Sequence, residues 1–135
     1  MSPVFLLLVH ADPPQAKRLL RHLAPVGRCF VHVDAKADMA AFEVADPRVA
    51  FVSPRIDVGW GAISQVEATL QLMRTALAQC DPAQVSHFVL LSGSCYPLRP
   101  MDAFRAHLQA HAGTNFIKLM PLASERKLHE RVRHF

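Results

Sequence analysis

Polar residues able to do chemistry recur in this chain directly after short apolar runs. His10 follows the run at 4–9, where Val9 is the last apolar position, and Asp34 follows the run at 29–33. Arg55 and Trp60 come after 49–52, and Ser92, Ser94, Cys95 and Tyr96 follow 88–91. A carboxylate at Asp34 can accept from a ribose hydroxyl or a base imide, and it can equally cap the turn that follows. Trp60 lies between Gly59 and Gly61, where an indole can stack on a base or sugar ring or anchor the loop as a plug. Ser92 and Ser94 lack a G-x-S-x-G setting and a histidine at hand, which argues against a serine nucleophile. Cys95 has only Arg99 nearby to favour a thiolate, so a cysteine nucleophile is equally poorly supported.

Metal and phosphate devices are missing from the sequence. His32-x-Asp34 is too thin to ligate a metal, because the other histidines show no complementary spacing. His32 alternates with Val31 and Val33 and reads as a core histidine with one nitrogen satisfied. No Asp-x-Asp, G-x-G-x-x-G or G-x-x-x-x-G-K-[ST] occurs, so no metal site is expected and no glycine-rich phosphate cradle.

The elements that must position these residues follow from hydrophobic patterning. The chain has 135 residues, 51% hydrophobic and 19% charged, enough for one packed domain. Its net charge of +4 is mild, with Arg126, Lys127, Arg131 and Arg133 clustered late. Aromatic interleaving is lacking, so nucleic acid is not an expected partner. Cys29, Cys80 and Cys95 form no C-x-x-C pair, and the first two read as packing residues in a reducing compartment.

Apolar runs predict strands over 4–9, 29–33, 49–52, 88–91 and 115–120. The run at 88–91 reads as a central strand covered on both faces. Asp12 and Pro13 open a helix whose inner face is Ala16, Leu19, Leu20 and Leu23. A short helical turn is expected near Met39 and Phe42. Ser64 and Glu67 have capping-box spacing, with Val66, Leu70, Met73 and Leu77 as the buried stripe of the next helix. Met101, Phe104 and Leu108 mark a third helix ending at Gly113, and 124–135 reads as helical with no stop signal. Alternating strands and helices predict an α/β fold with a doubly wound, mostly parallel sheet. Strand ends then converge on one edge. The first apolar run is too short to span a membrane and carries no leader features.

Five motifs in order carry a resemblance: His10-Ala-Asp-Pro-Pro, Val31-His-Val-Asp34, Arg55-Ile-Asp-Val-Gly-Trp-Gly61, Ser64-Gln-Val-Glu-Ala-Thr-Leu70 and Leu90-Leu-Ser-Gly-Ser-Cys-Tyr-Pro97. Together they resemble the core-2/I-branching β-1,6-N-acetylglucosaminyltransferase family, which includes the peptide O-xylosyltransferases. The resemblance implies a GT-A-like fold, a UDP-sugar donor, inversion at the anomeric carbon and no metal or other cofactor. It places Val9, His10 and Asp34 in the uridine region, and Arg55, Trp60, Ser94, Cys95 and Tyr96 along the donor site. The implied partners are a UDP-sugar and a carbohydrate or glycosylated acceptor. Cys95 stands where many members carry Asp. The family's catalytic glutamate and main diphosphate-binding cations lie beyond the matched motifs, so the catalytic residue is unknown. The whole of 1–135 is therefore expected to be the donor-binding portion of one glycosyltransferase domain, truncated after Phe135. The alternative is a non-catalytic nucleotide-binding or interaction module of the same fold. Eukaryotic relatives are Golgi membrane proteins; without an anchor, this chain is expected in the cytoplasm.

Overall fold

The computed structural model of the chain describes residues 1–119. Its strands are β1 (Ser2–Val9), β2 (Arg28–Val33), β3 (Val49–Phe51) and β4 (Val85–Ser92). Its helices are α1 (Pro13–Leu23), α2 (Ile63–Gln79) and α3 (Met101–Ala110), with single 3-10 turns at Met39–Phe42 and Pro82–Gln84. The strands form one parallel sheet in the order β3-β2-β1-β4. The chain thus winds outward from β1 to β3, then crosses to the far side of β1 to lay down β4. This is the doubly wound α/β architecture that the patterning predicts.

Both faces of β1 are covered, which is why its sequence is apolar without alternation. Phe5, Leu7 and Val9 join Cys29, Val31 and Val33 under the Ala16, Leu19, Leu20 and Leu23 face of α1. Val4, Leu6, Phe30 and Val52 meet Leu72 and Ala76 of α2 on the opposite face. Asp12 caps α1 as expected, accepting the Gln15 N–H at 3.1 Å. Its own φ of 51° is left-handed, a conformation that aspartate tolerates better than most residues.

Four expectations need correction. The buried stripe of α2 is Ala68, Leu72 and Ala76, while Val66, Leu70, Met73 and Leu77 are 38–52% exposed. Two flanks of this helix are apolar, and the one with alanines packs inward because small side chains let the helix approach the sheet. The capping box does not form. Ala62 is the N-cap, and the Ser64 hydroxyl accepts the Gly59 N–H at 2.9 Å instead, closing the preceding loop. Among the described residues β4 lies at the sheet edge rather than in its centre. Val89 and Leu91 face the α1 and α3 side, but Phe88 and Leu90 are 39% and 47% exposed, because α2 packs over β1 and β2. Finally, 115–119 forms no strand. Phe116 instead sets its ring among His87, His107 and His111, with centroids 5.4–5.8 Å apart. Met120, the expected helix at 124–135 and the late basic cluster lie outside the described residues.

Candidate functional site

Parallel strands bring all four carboxyl ends to one edge, and the direction of winding reverses between β1 and β4. Ligand crevices form at such reversals. Here the crevice is a cavity of about 610 Å³. Leu8, Val9 and His10 line it from β1, and Leu90, Ser92 and Cys95 from β4. Further wall residues are His32 on β2, Asp34 and Lys36 after it, Val58 and Trp60 after β3, and Gln65 of α2.

Backbone bonds hold the strand ends together past the sheet proper. The Asp34 N–H donates to the Val9 carbonyl and the Gly93 N–H to the Leu8 carbonyl, both at 2.9 Å. Gly93 eases this approach, since a Cβ there would sit 3.0 Å from Cγ1 of Val9 and push that side chain aside by a few tenths of an ångström. The Cys95 N–H then closes a turn on the Ser92 carbonyl at 3.0 Å.

The loop at 55–61 is stitched to the end of β2 by contacts more than fifteen residues apart in sequence. Ile56 donates its N–H to Nε2 of His32 at 2.9 Å, and its carbonyl accepts from Ala35 at 3.0 Å. The Asp34 carboxylate accepts the Val58 N–H at 3.2 Å, the Lys36 N–H at 2.8 Å and the Lys36 ammonium at 3.2 Å. That ammonium also donates to the Val58 carbonyl at 2.9 Å and to Asp57. The loop leaves through Gly61 at φ +69°, a left-handed turn that suits glycine.

Asp34 is 4% exposed. Burial pushes its carboxyl up, but the amide and ammonium of Lys36 and the amide of Val58 outweigh burial and hold it below the ordinary value of 3.8. The Lys36 ammonium lies 3.1 Å and 3.2 Å from the two carboxylate oxygens, and the amides of Lys36 and Val58 take one oxygen each, so protein groups surround this carboxylate. Lys36 is pushed above its ordinary value chiefly by its bond to Asp57. Cys29 is the inert packing thiol expected, raised to about 12 by burial.

Val9, His10, Asp34, Trp60 and Cys95 come together on this cavity. Trp60 is fully exposed there, so its indole does not plug the domain. Arg55, Ser94 and Tyr96 are not brought to the cavity wall. The Arg55 guanidinium is spent on the carbonyls of Asp34 at 3.2 Å and Ala37 at 2.8 Å. The Ser94 hydroxyl pairs with that of Ser92 at 2.8 Å. Tyr96 turns to the opposite sheet face, under the Arg18 guanidinium at 5.2 Å and beside His22, where it lines a separate, mostly apolar cavity of about 530 Å³.

Lys36, Val58 and Gln65 are wall residues that the patterning did not single out. A lysine two positions past the strand-end aspartate was a usable signal, because an ammonium that close in sequence can pair with the carboxylate. Among the described residues no three His, Cys, Asp or Glu side chains gather to hold a metal ion, and no helix is long and apolar enough to cross a membrane.

Comparison with known proteins agrees with this topology. Residues 4–134 match the family model described as Core-2/I-Branching enzyme. The xylosyltransferase oxt of Drosophila pseudoobscura pseudoobscura is 30% identical over 110 residues, covering 77% of this chain and 12% of that protein. The xylosyltransferase oxt of Drosophila melanogaster is 29% identical over 110 residues, with the same two coverages. The chain therefore spans a small part of the length of these relatives.

Proposed function

From the premise that the chain belongs to the Core-2/I-branching enzyme family, a glycosyltransferase family, we propose that it supplies the donor-binding half of an inverting, metal-independent transferase using a UDP-sugar. The observation that carries this reading is the cavity at the reversal between β1 and β4, with one buried carboxylate, one ammonium and one exposed indole on its wall. Asp34 meets a uridine donor by exchanging the half-exposed Lys36 ammonium for it. Trp60 offers a face for stacking on a base or sugar ring. Lys36, whose three protons are held here by Asp34, Asp57 and the Val58 carbonyl, turns from these partners to the diphosphate and takes the role that a divalent ion bound by Asp-x-Asp would otherwise fill.

In the reaction, a base takes the proton of an acceptor hydroxyl, whose oxygen attacks the anomeric carbon. The bond to the diphosphate oxygen breaks, and UDP leaves with that electron pair. Residues 1–119 supply positioning and leaving-group charge; no residue is assigned as the base. The sugar is of the N-acetylglucosamine or xylose type, and the acceptor is a carbohydrate or glycosylated molecule. No cofactor takes part.

Calorimetry with UDP, ADP, GDP and UDP-sugars tests the proposal. UDP is expected to bind in preference to the purine nucleotides, equally well with and without EDTA. Binding that EDTA abolishes and manganese restores would overturn metal independence. Trp60→Ala is expected to weaken UDP-sugar binding with little change in melting temperature, since the indole is fully exposed. The 135-residue chain alone is expected to bind donor without transferring sugar, which a UDP-release assay with acceptor checks.

A further inference from the structure

We propose that His32 is a positioning residue, a proton-sensitive latch that holds the 55–61 loop, and with it Trp60, at the wall of the cavity. Two parts make the latch: a buried imidazole on β2 and a backbone amide on the loop. His32 is 1% exposed and shares the sheet face of Phe30, under α2. Its Nε2 accepts the Ile56 N–H at 2.9 Å. A neutral ring bonded in this way carries its proton on Nδ1. An imidazolium has no lone pair, so protonation removes the acceptor and sets a cation against a backbone donor. Four residues further on, the same loop carries Trp60.

The other stitches of this loop do not share that sensitivity near neutrality. Asp34 stays ionised well below it, and Lys36 stays charged above it. Arg55 bonds the carbonyls of Asp34 and Ala37. Among the described residues the Ile56 bond is the stitch of this loop that a proton breaks near neutrality.

The surroundings of His32 set the direction. Burial pushes its pKa below the ordinary 6.5; the Asp34 carboxylate opposes this, and the Arg55 guanidinium adds to it. Lys36 is paired to Asp34. Leu8 stands opposite on β1, with His10 exposed beyond it. The residues of α2 that turn inward are Ala68, Leu72 and Ala76, while its charged Glu67 and Arg74 are exposed. β3 ends in uncharged Phe51 and Val52. With the latch closed His32 resists protonation, and with it open the ring returns towards 6.5. Acid therefore favours the open loop: the latch is whole above about 6.5 and weakens as pH falls below that value.

Trp60 is the sole tryptophan of the chain, so its fluorescence anisotropy reports this loop alone. Wild type is expected to lose Trp60 anisotropy between pH 7 and pH 5 while its far-UV circular dichroism holds. His32→Gln, whose amide oxygen can replace Nε2 as acceptor without titrating there, is expected to keep the anisotropy level across that range. His32→Leu is expected to show the mobile loop at every pH. Parallel pH curves for wild type and His32→Gln would overturn the latch, and that comparison stands even if His32→Leu fails to fold.

The functional step rests on the donor-site reading and is measured separately, with UDP. Its affinity should fall with acid in wild type, by at most about tenfold per pH unit for one linked proton, and stay level in His32→Gln. An affinity that falls equally in both would overturn His32 as a positioning residue for the donor. Anisotropy that behaves as expected while UDP fails to bind at pH 7 would leave the latch standing and refute the donor site.

Discussion

At the scale of single residues, Asp34 combines two duties that are usually offered as alternatives. Its carboxylate closes the turn after β2 through the Lys36 amide and, in the same geometry, pins the Val58 amide of a distant loop. Asp34→Ala is therefore expected to weaken UDP binding by about 1.5–3 kcal/mol, the range for a hydrogen bond to a charged group, and also to lower the melting temperature. Calorimetry and thermal unfolding separate the two losses. The pH dependence has a definite sign. The folded carboxyl is held below the ordinary 3.8, so the stability from its ionised form is complete above 3.8 and is lost as pH falls through the lower folded value. Asp34→Asn should flatten that part of the acid-unfolding curve. Lys36→Met is expected to weaken UDP but spare uridine, because uridine lacks the diphosphate that the ammonium would meet. Equal weakening of both would show that Lys36 acts by shaping the loop.

At the scale of elements, α2 decides how the cavity is roofed. It seats Ala68, Leu72 and Ala76 on the sheet and leaves Ile63, Val66, Leu70, Met73 and Leu77 outside. The Gln71 side chain donates to the Pro54 carbonyl at 2.7 Å, so the polar flank of the helix faces the β3 side. The exposed apolar flank is on the side of the helix away from Gln71. Leu72→Ala should cost about 2–5 kcal/mol, as for a large-to-small change at a fully buried site, measured by urea unfolding. Leu70→Ala should fall within about 0.5 kcal/mol of wild type. The reverse order would restore the stripe predicted from spacing.

At the scale of the whole molecule, an edge strand with an apolar face is an invitation to pair. Among the described residues β4 leaves Phe88 and Leu90 partly exposed, and Phe116 and Ile117 are 55% and 72% exposed. The isolated chain is therefore expected to self-associate with rising concentration, seen as an increasing weight-average mass in sedimentation equilibrium. Leu90→Lys should reduce that association without unfolding the protein, because the side chain is already 47% exposed. An unchanged monomeric mass up to high concentration would show that this surface is tolerated as it stands.

Sequence alone determined the layer architecture and the edge where the polar residues after the strands meet. Apolar runs of strand length, the Asp12–Pro13 helix start and the α1 face are local patterns, and each survives folding because burial and capping act over a few residues. The polar residues after each run had to meet at one edge once the strands were parallel. What tertiary structure alone decided is which of several locally equivalent choices was used. Two stripes of α2 are apolar, and the sheet, not the period, selected the one with alanines. Capping-box spacing at Ser64 and Glu67 lost to a loop amide that lies closer in space. The bonds from Asp34 to Val58 and from His32 to Ile56 span 24 residues each. Spacing along the chain carries no record of them, because hydrogen bonds of that range exist only after two strand ends have been brought side by side.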